Sequence, residues 1–151
     1  MRILNKVIIF AAVVLLFAAI FQFKDKKSLF ESYNYTFNIY VKSEADVSIE
    51  VSNFYTVSCD KQNADKVLRN YNNVLGVSYK FESSEFEIDS FISENNFKIQ
   101  FTQSINDRMI YYLYNYKISN YEIVNDKKVS MQIVKADDYI VAGLPLILGA
   151  Y

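Results

Sequence analysis

The amino-acid sequence predicts an α+β protein in which an N-terminal transmembrane helix precedes one small domain. That domain is expected to hold an antiparallel sheet of five to seven strands and at least one packed helix. Three observations predict this fold class. Residues 7–21 are all apolar, most later hydrophobic residues alternate with polar ones, and residues 64–75 repeat their apolar positions at steps of three and four. We therefore divide the chain into an anchor or signal segment, 1–27, and a single extracytoplasmic domain, 28–151.

The N-terminal apolar segment is long enough to cross a bilayer. A helix over residues 4–23 would span ~30 Å, the hydrocarbon thickness of a membrane, before the charged residues 24–27. No Ala-x-Ala site follows the apolar run, which favours an uncleaved anchor over a signal peptide that is removed. The short leading segment favours an N-terminus inside the cell. We expect a single-pass cell-membrane protein with its C-terminal domain outside the cytoplasm, the alternative being a domain secreted after cleavage.

Two strands are predicted at the start of the domain. Tyr33 to Lys42 alternates apolar and polar residues, the period of a half-buried strand. A second alternation runs from Val47 to Val57 and changes phase near residues 52–53, which predicts a bulge there.

A helix is predicted next. The apolar residues between Ala64 and Leu75 lie on one side of a helix, and charged residues and Asn72 lie on the other. Ser58 or Asp60 is placed to cap its start, and Gly76 is placed to end it in the left-handed conformation.

The second half of the domain is predicted to consist mainly of strands. Alternating segments predict strands over 77–81, 97–102, 110–118, 121–123 and 129–133. Residues 82–94 fit both the strand and the helix period, so their structure stays open. The later segments predict an antiparallel meander, and the whole pattern satisfies ferredoxin-like, cystatin-like and NTF2-like arrangements equally.

The C-terminal segment is uncharged from Tyr139 to Tyr151. It is too short to span a membrane, and Gly143 and Pro145 argue against a continuous helix. We expect it to complete the core, with buried surface supplied by Ile140, Leu144, Leu146 and Leu148. The alternative is an exposed partner-binding segment.

Composition removes most familiar enzyme chemistry. The chain has no His and a single Cys, Cys59, so it can form no Ser-His-Asp or Cys-His relay and no intramolecular disulfide. Cys59 lies beside a predicted helix start, where a thiol pKa can fall, but without a partner it is interpreted as structural. Residues 28–151 hold 11 basic and 16 acidic residues, which disfavours nucleic acid binding. We expect no cofactor and no catalysis.

Two residue clusters are candidate sites. Five carboxylates stand close together and could ligate calcium, but a solvated acidic surface is the better interpretation; they are Glu82, Glu85, Glu87, Asp89 and Glu94. Tyr112, Tyr114 and Tyr116 would share one strand face, where phenols could stack on sugar rings or hold a peptide. A tyrosine-rich core face is the interpretation we favour, and Tyr111 on the opposite face is then the more exposed residue.

These observations favour a membrane-anchored, extracytoplasmic, non-catalytic binding or assembly module that acts through contacts with proteins or cell-envelope polymers. The candidate partner-binding residues are Tyr111, Tyr112, Tyr114, Tyr116, Leu144, Pro145 and Leu146. The membrane itself would be contacted through residues 4–23. Two other classes stay open: a small envelope enzyme that uses carboxylates or tyrosines, and a structural subunit of a transport or secretion apparatus.

Overall fold

The computed structural model describes residues 29–42 and 54–148. The chain divides into two compact units, Met1–Ser32 and Tyr33–Tyr151, and of the first unit only a turn at its end is described. The predicted anchor and the first part of the predicted second strand lie outside the described residues. Within the described ranges, no helix is both long and apolar enough to cross a membrane.

Most of the described chain is β-structure. Nine strands are described: β1 (Thr36–Lys42), β2 (Phe54–Asp60), β3 (Val74–Glu82), β4 (Lys98–Ile105), β5 (Arg108–Tyr114), β6 (Glu122–Val124), β7 (Lys127–Val129), β8 (Met131–Lys135) and β9 (Tyr139–Leu144). Two short helices are described, α1 (Ala64–Arg69) and α2 (Ile88–Glu94), and a 3-10 turn (Lys61–Asn63) leads into α1.

Seven of these strands form one antiparallel sheet in the order β2-β1-β3-β9-β8-β5-β4, and β6 pairs with β7 in a separate hairpin. This confirms the α+β class and the antiparallel sheet, at the upper end of the expected strand number.

The sheet has two covered faces. On one, here called the helix face, Phe37, Ile39 and Val41 pack against Ala64 and Val67 of α1. On the other, here called the hairpin face, a second apolar cluster joins β5 and β8 to the β6–β7 hairpin and to the chain after β9; it contains Ile110, Tyr112, Val129 and Val134, with Phe101, Val124, Leu146 and Ile147 packed against it. Because successive side chains of a strand point to opposite faces, both clusters can draw on the same strands.

The predicted helix is present but ends early. Asp60 caps the 3-10 turn, its Oδ1 accepting a hydrogen bond from the Asn63 backbone N–H at 3.0 Å, as expected for one of the two predicted caps. The helical segment ends at Arg69, so the predicted extent to residue 75 is wrong. Residues 70–73 include three asparagines, which are poor helix formers, and Val74 pairs instead with Val41 in the sheet. Gly76 accordingly lies within β3 and does not adopt a positive φ.

The segment over 82–94, whose structure the sequence leaves open, contains a helix. A turn at residues 83–85 follows β3, and α2 then buries Ile88, Phe91 and Ile92. Phe91 lies in a row of aromatic rings that joins β3 to the chain after α2. Ring centroids are separated by 4.5 Å between Phe81 and Phe86, 5.0 Å between Phe86 and Phe91, and 5.7 Å between Phe91 and Phe97.

The long strand predicted over 110–118 is also shorter than expected, since β5 ends at Tyr114. The buried Asn115 explains the ending, because it directs three hydrogen bonds away from the ladder. Its backbone N–H donates to Ser130 Oγ at 2.9 Å, its Nδ2 donates to the Asn95 carbonyl at 2.7 Å, and its Oδ1 accepts from the Lys117 backbone N–H at 2.9 Å. The chain therefore turns away from the sheet after Tyr114.

The C-terminal segment forms β9, which lies between β3 and β8 in the centre of the sheet. Ile140 is buried as expected, whereas Leu144 is half-buried and Leu148 is exposed, so the expectation for Leu148 is wrong. After β9 the chain folds back across Gly143. A Cβ atom at Gly143 would lie 2.7 Å from the Ile147 backbone nitrogen, so this crossing needs the absence of a side chain.

Candidate functional site

A cleft of about 460 Å³ opens on the helix face where β1 ends. It is here called the asparagine cleft. The described residues that line it are mostly polar or aromatic: Val41, Lys42, Tyr55, Asn70, Tyr71, Asn72 and Asn73. Ligand pockets commonly measure ~300–1,000 Å³, so the cleft has room for a small ligand or one unit of a polymer.

The early end of α1 builds this cleft. Because the helix stops at Arg69, the asparagines that follow form a loop beside the end of β1. The Lys42 backbone N–H donates to the Asn73 carbonyl at 3.0 Å and ties the loop to the strand. This hydrogen bond and the packing of Tyr71 against the core of the helix face fix the loop to the sheet. The side-chain amides of the loop stay exposed at Asn70, Asn72 and Asn73.

Two tyrosines give the cleft an aromatic wall. Tyr55 pairs with Val41 in the ladder between β1 and β2, so both side chains project from the helix face. The rings of Tyr55 and Tyr71 meet edge to face, with centroids 6.4 Å apart and planes at 70°. Tyr55 is 48% exposed, which leaves much of its side chain available for contact with a ligand.

The chemistry of the lining favours a neutral ligand rich in hydroxyl groups. Each asparagine amide offers two donors and an acceptor, and each phenol can donate and accept. Among the described residues that line the cleft, Lys42 is the one that carries a charge. A sugar unit presents hydroxyls to such amides and an apolar C–H face to an aromatic ring, so the cleft can bind a saccharide without any catalytic group.

The predicted row of tyrosines is present only in part. Tyr112 is buried and stacks on Phe101, with ring centroids 4.2 Å apart. Tyr114 is half-buried, and Tyr116, 74% exposed, lies in the turn beyond the end of β5. Tyr111 is half-buried rather than exposed. Tyr112 and Tyr114 share one face of β5, as predicted, and the burial of Tyr112 agrees with a tyrosine-rich core face. The prediction is wrong for Tyr116, because β5 ends before that residue.

The candidate residues in the C-terminal segment lie against the sheet. Pro145 is buried, and Leu144 and Leu146 are half-buried. The next residue is held by a side chain of β8, since the Ile147 backbone N–H donates to Gln132 Oε1 at 3.0 Å. The placement of these residues favours a packing role over an exposed binding segment.

The five acidic side chains do not surround a common position. All five of these carboxylate residues, Glu82 to Glu94, are exposed, and they are spread over the end of β3, a turn and α2. Among the described residues, no group of three or more Cys, Asp and Glu side chains could hold a metal ion. The calcium alternative therefore has no geometric support in the described part of the chain.

Cys59 lies on β2 beside the cap residue of the 3-10 turn and is half-buried. Desolvation by burial raises the pKa of its thiol above the ordinary value, and the negative charge of Asp60 raises that pKa further. The expected lowering at a helix start is thus reversed, because an adjacent carboxylate disfavours the thiolate.

Replacing Asp60 by Asn is expected to lower the pKa of Cys59 and to speed its alkylation. Removing the neighbouring negative charge favours the thiolate, so the thiolate fraction below the pKa rises by about tenfold for each unit that the pKa falls. The alkylation rate rises by less than this factor, because a less basic thiolate is a weaker nucleophile. The measurement is the pH dependence of the alkylation rate with iodoacetamide, an uncharged reagent. Asp65→Asn is the matched control, since Asp65 is not a cause of the raised pKa of Cys59. Equal pH profiles for Asp60→Asn and the unmodified protein would contradict the electrostatic assignment.

The fold and the cleft together define a small α+β domain with an open polar and aromatic cleft at one end of its sheet. Comparison with protein-family models, with curated proteins and with solved structures finds no match to this chain. Sequence reasoning missed the cleft because Asn72 was placed on the polar side of a longer helix. The available signal was the run of asparagines over 70–73, which argues against helix and for a loop.

Proposed function

We propose that this protein is a non-catalytic binding module that takes a saccharide unit of a cell-envelope polymer into the asparagine cleft. In this proposal residues 4–23 anchor the chain in the membrane and the domain lies outside the cytoplasm. The observation that carries the proposal is the lining of the cleft, in which exposed amides and an exposed tyrosine ring face one volume of about 460 Å³.

The position of the cleft also favours a polymer over a small metabolite. The cleft lies at the end of β1, and its asparagines and Tyr55 are exposed. Small-molecule sites usually bury most of their ligand among apolar side chains, whereas this lining is mainly polar. An open polar cleft suits one unit of a chain that continues beyond the site on both sides.

The test is titration of the full chain, kept in non-ionic detergent, with a panel of neutral and acetamido oligosaccharides, followed by calorimetry. We expect Tyr55→Ala to weaken binding by about tenfold, equivalent to ~1.4 kcal/mol, because it removes the exposed ring that a sugar would contact. Asn72→Ala removes an amide and is expected to weaken binding to a similar extent.

Tyr116→Ala is the matched control for Tyr55→Ala. Tyr116 is the more exposed of the two tyrosines, and it follows β5, which four strands separate from β2 in the sheet. Its replacement should leave oligosaccharide binding unchanged. If the panel binds and only Tyr116→Ala reduces the affinity, the cleft is the wrong site; if no oligosaccharide binds, the saccharide proposal fails.

A further inference from the structure

The strand β4 ends the sheet on the side away from the asparagine cleft. Its one partner among the described strands is β5, to which a two-residue turn joins it. Asn106 and Asp107 form that turn with φ values of 48° and 62°. The ladder is irregular between Ile99 and Phe101 and regular from Phe101 to Ile105. No described strand pairs with the outer edge of this regular part, so within the described ranges that edge is open to a further strand.

The turn fixes which backbone groups of β4 point outward. In a two-residue hairpin the residues that flank the turn, here Ile105 and Arg108, exchange both of their hydrogen bonds. Gln103 and Ile110 form the next such pair two residues further on. The backbone N–H and C=O groups of Thr102 and Ser104 therefore point away from β5, as a short template for an antiparallel strand.

The side chains of this edge do not discourage pairing. Natural edge strands commonly carry Lys, Pro or an inward charge, but residues 101–105 contain none of these. Thr102, Gln103 and Ser104 are exposed, and Ile105 is 43% exposed although it is a large aliphatic residue. An added strand would cover that apolar surface.

We propose that the edge of β4 pairs with β4 of a second copy of this chain, antiparallel and about a two-fold axis that passes between the two Gln103 residues. Thr102 then exchanges both backbone hydrogen bonds with Ser104 of the second copy. Phe101 lies opposite Ile105 of the second copy, which gives an aromatic and aliphatic pair on the hairpin face, twice. The two seven-stranded sheets join into one.

The structure favours the register centred on Gln103 over the register centred on Thr102. Shifting the axis to Thr102 would pair Ser104 with Gln100, but the Gln100 carbonyl already accepts a hydrogen bond from Lys127 Nζ at 2.9 Å. In the proposed register Asp107 of the second copy comes two residues after Ile105 of that copy. It therefore lies at the end of the interface where Lys127 of the first copy reaches Gln100. This complementary pair of charges occurs at both ends of the interface, as the two-fold axis requires.

The first test introduces a positive or a negative charge at Gln103. The mass of the full chain in non-ionic detergent is then measured by light scattering over a concentration series. We expect the unmodified chain to dimerise. Gln103→Lys or Gln103→Glu would place like charges directly opposite each other, so each variant alone should raise the dissociation constant severalfold. An equal mixture of the two variants should restore the dimer. Ser119→Lys and Ser119→Glu, at an exposed position outside the strands, are the matched controls.

The second test reads the register directly. In a Cys59→Ser background, with dissolved oxygen and a copper–phenanthroline catalyst as the oxidant, Gln103→Cys should rapidly form a disulfide-linked dimer, because residue 103 faces its own copy across the axis. Thr102→Cys faces Ser104 and should not. This comparison remains decisive if a charged residue at 103 disturbs the fold.

Three results would overturn the proposal: a monomer at every concentration, a dimer indifferent to the charge at position 103, or cross-linking through Thr102→Cys in preference to Gln103→Cys. A strand of an unrelated polypeptide found on this edge of a monomeric chain would also overturn it.

Discussion

A chain truncated after Asp138 is expected to lose the cooperative unfolding transition of the domain. The truncation removes β9, which pairs with β3 on one side and with β8 on the other. Without it the sheet separates into β2, β1 and β3 on one side and β8, β5 and β4 on the other. Two strands that are central in the intact sheet would become unpaired edges.

The expected loss of stability comes from two sources, the buried side chains of β9 and its backbone hydrogen bonds to β3 and β8. Ile140 and Val141 are buried, and fully burying each such side chain contributes ~1.5–3 kcal/mol. Each lost backbone hydrogen bond adds ~0.5–1.5 kcal/mol, and β9 forms bonds on both edges. The total is comparable with the ~5–15 kcal/mol by which a domain is stable.

The measurement compares three chains by far-UV circular dichroism during thermal unfolding: the full chain and chains that end at Asp138 or at Leu144. The chain that ends at Leu144 keeps β9 and loses only the segment that packs on the hairpin face, so it should fold with a lower midpoint. A full-amplitude cooperative transition in the chain that ends at Asp138 would contradict the central role of β9. The C-terminal segment would then be interpreted as an exposed partner-binding segment.

The centre of the sheet illustrates what the sequence could and could not predict. Alternation located most of the strands, because one face of a strand is often more polar than the other. The segment from Tyr139 to Leu144 lacks that alternation, and a strand in mid-sheet, covered on both faces, is expected to be uniformly apolar. Composition therefore predicted that this segment is buried, but no local sequence pattern predicts which strands flank it in the sheet.

The cleft was harder to predict than the strands. It combines the end of β1, the start of β2 and the loop after α1, so residues distant in sequence meet only through strand pairing. The inclusion of Tyr116 in the predicted tyrosine face was wrong for a related reason. Periodicity extended β5 beyond Tyr114, while the hydrogen bonds of Asn115 to Ser130 and Asn95 come from other parts of the fold.

Phe91→Ala is expected to give the largest loss of stability among single substitutions in the helical part of the domain. Phe91 is fully buried in α2, and its ring lies between those of Phe86 and Phe97. Truncating a buried phenylalanine to alanine typically costs ~3–5 kcal/mol, because the lost apolar contacts are accompanied by a cavity. The two neighbouring rings belong to the segments that flank α2, so a collapse that filled the cavity would have to move both.

Chemical denaturation of the full chain measures this loss, and Phe91→Leu is the matched control because it retains most of the volume and all of the apolar character. We expect Phe91→Leu to cost less than ~1.5 kcal/mol, as volume-conserving exchanges usually do, and Phe91→Ala to cost at least twice as much. Ser90→Ala, one residue earlier and exposed, tests whether substitution in α2 alone disturbs the domain. If Phe91→Ala costs no more than Ser90→Ala, the aromatic row is not a stabilising core. The attachment of α2 would then depend on its other buried residues, Ile88 and Ile92, and on the hydrogen bond from Asn115 Nδ2 to the Asn95 carbonyl at its C-terminal end.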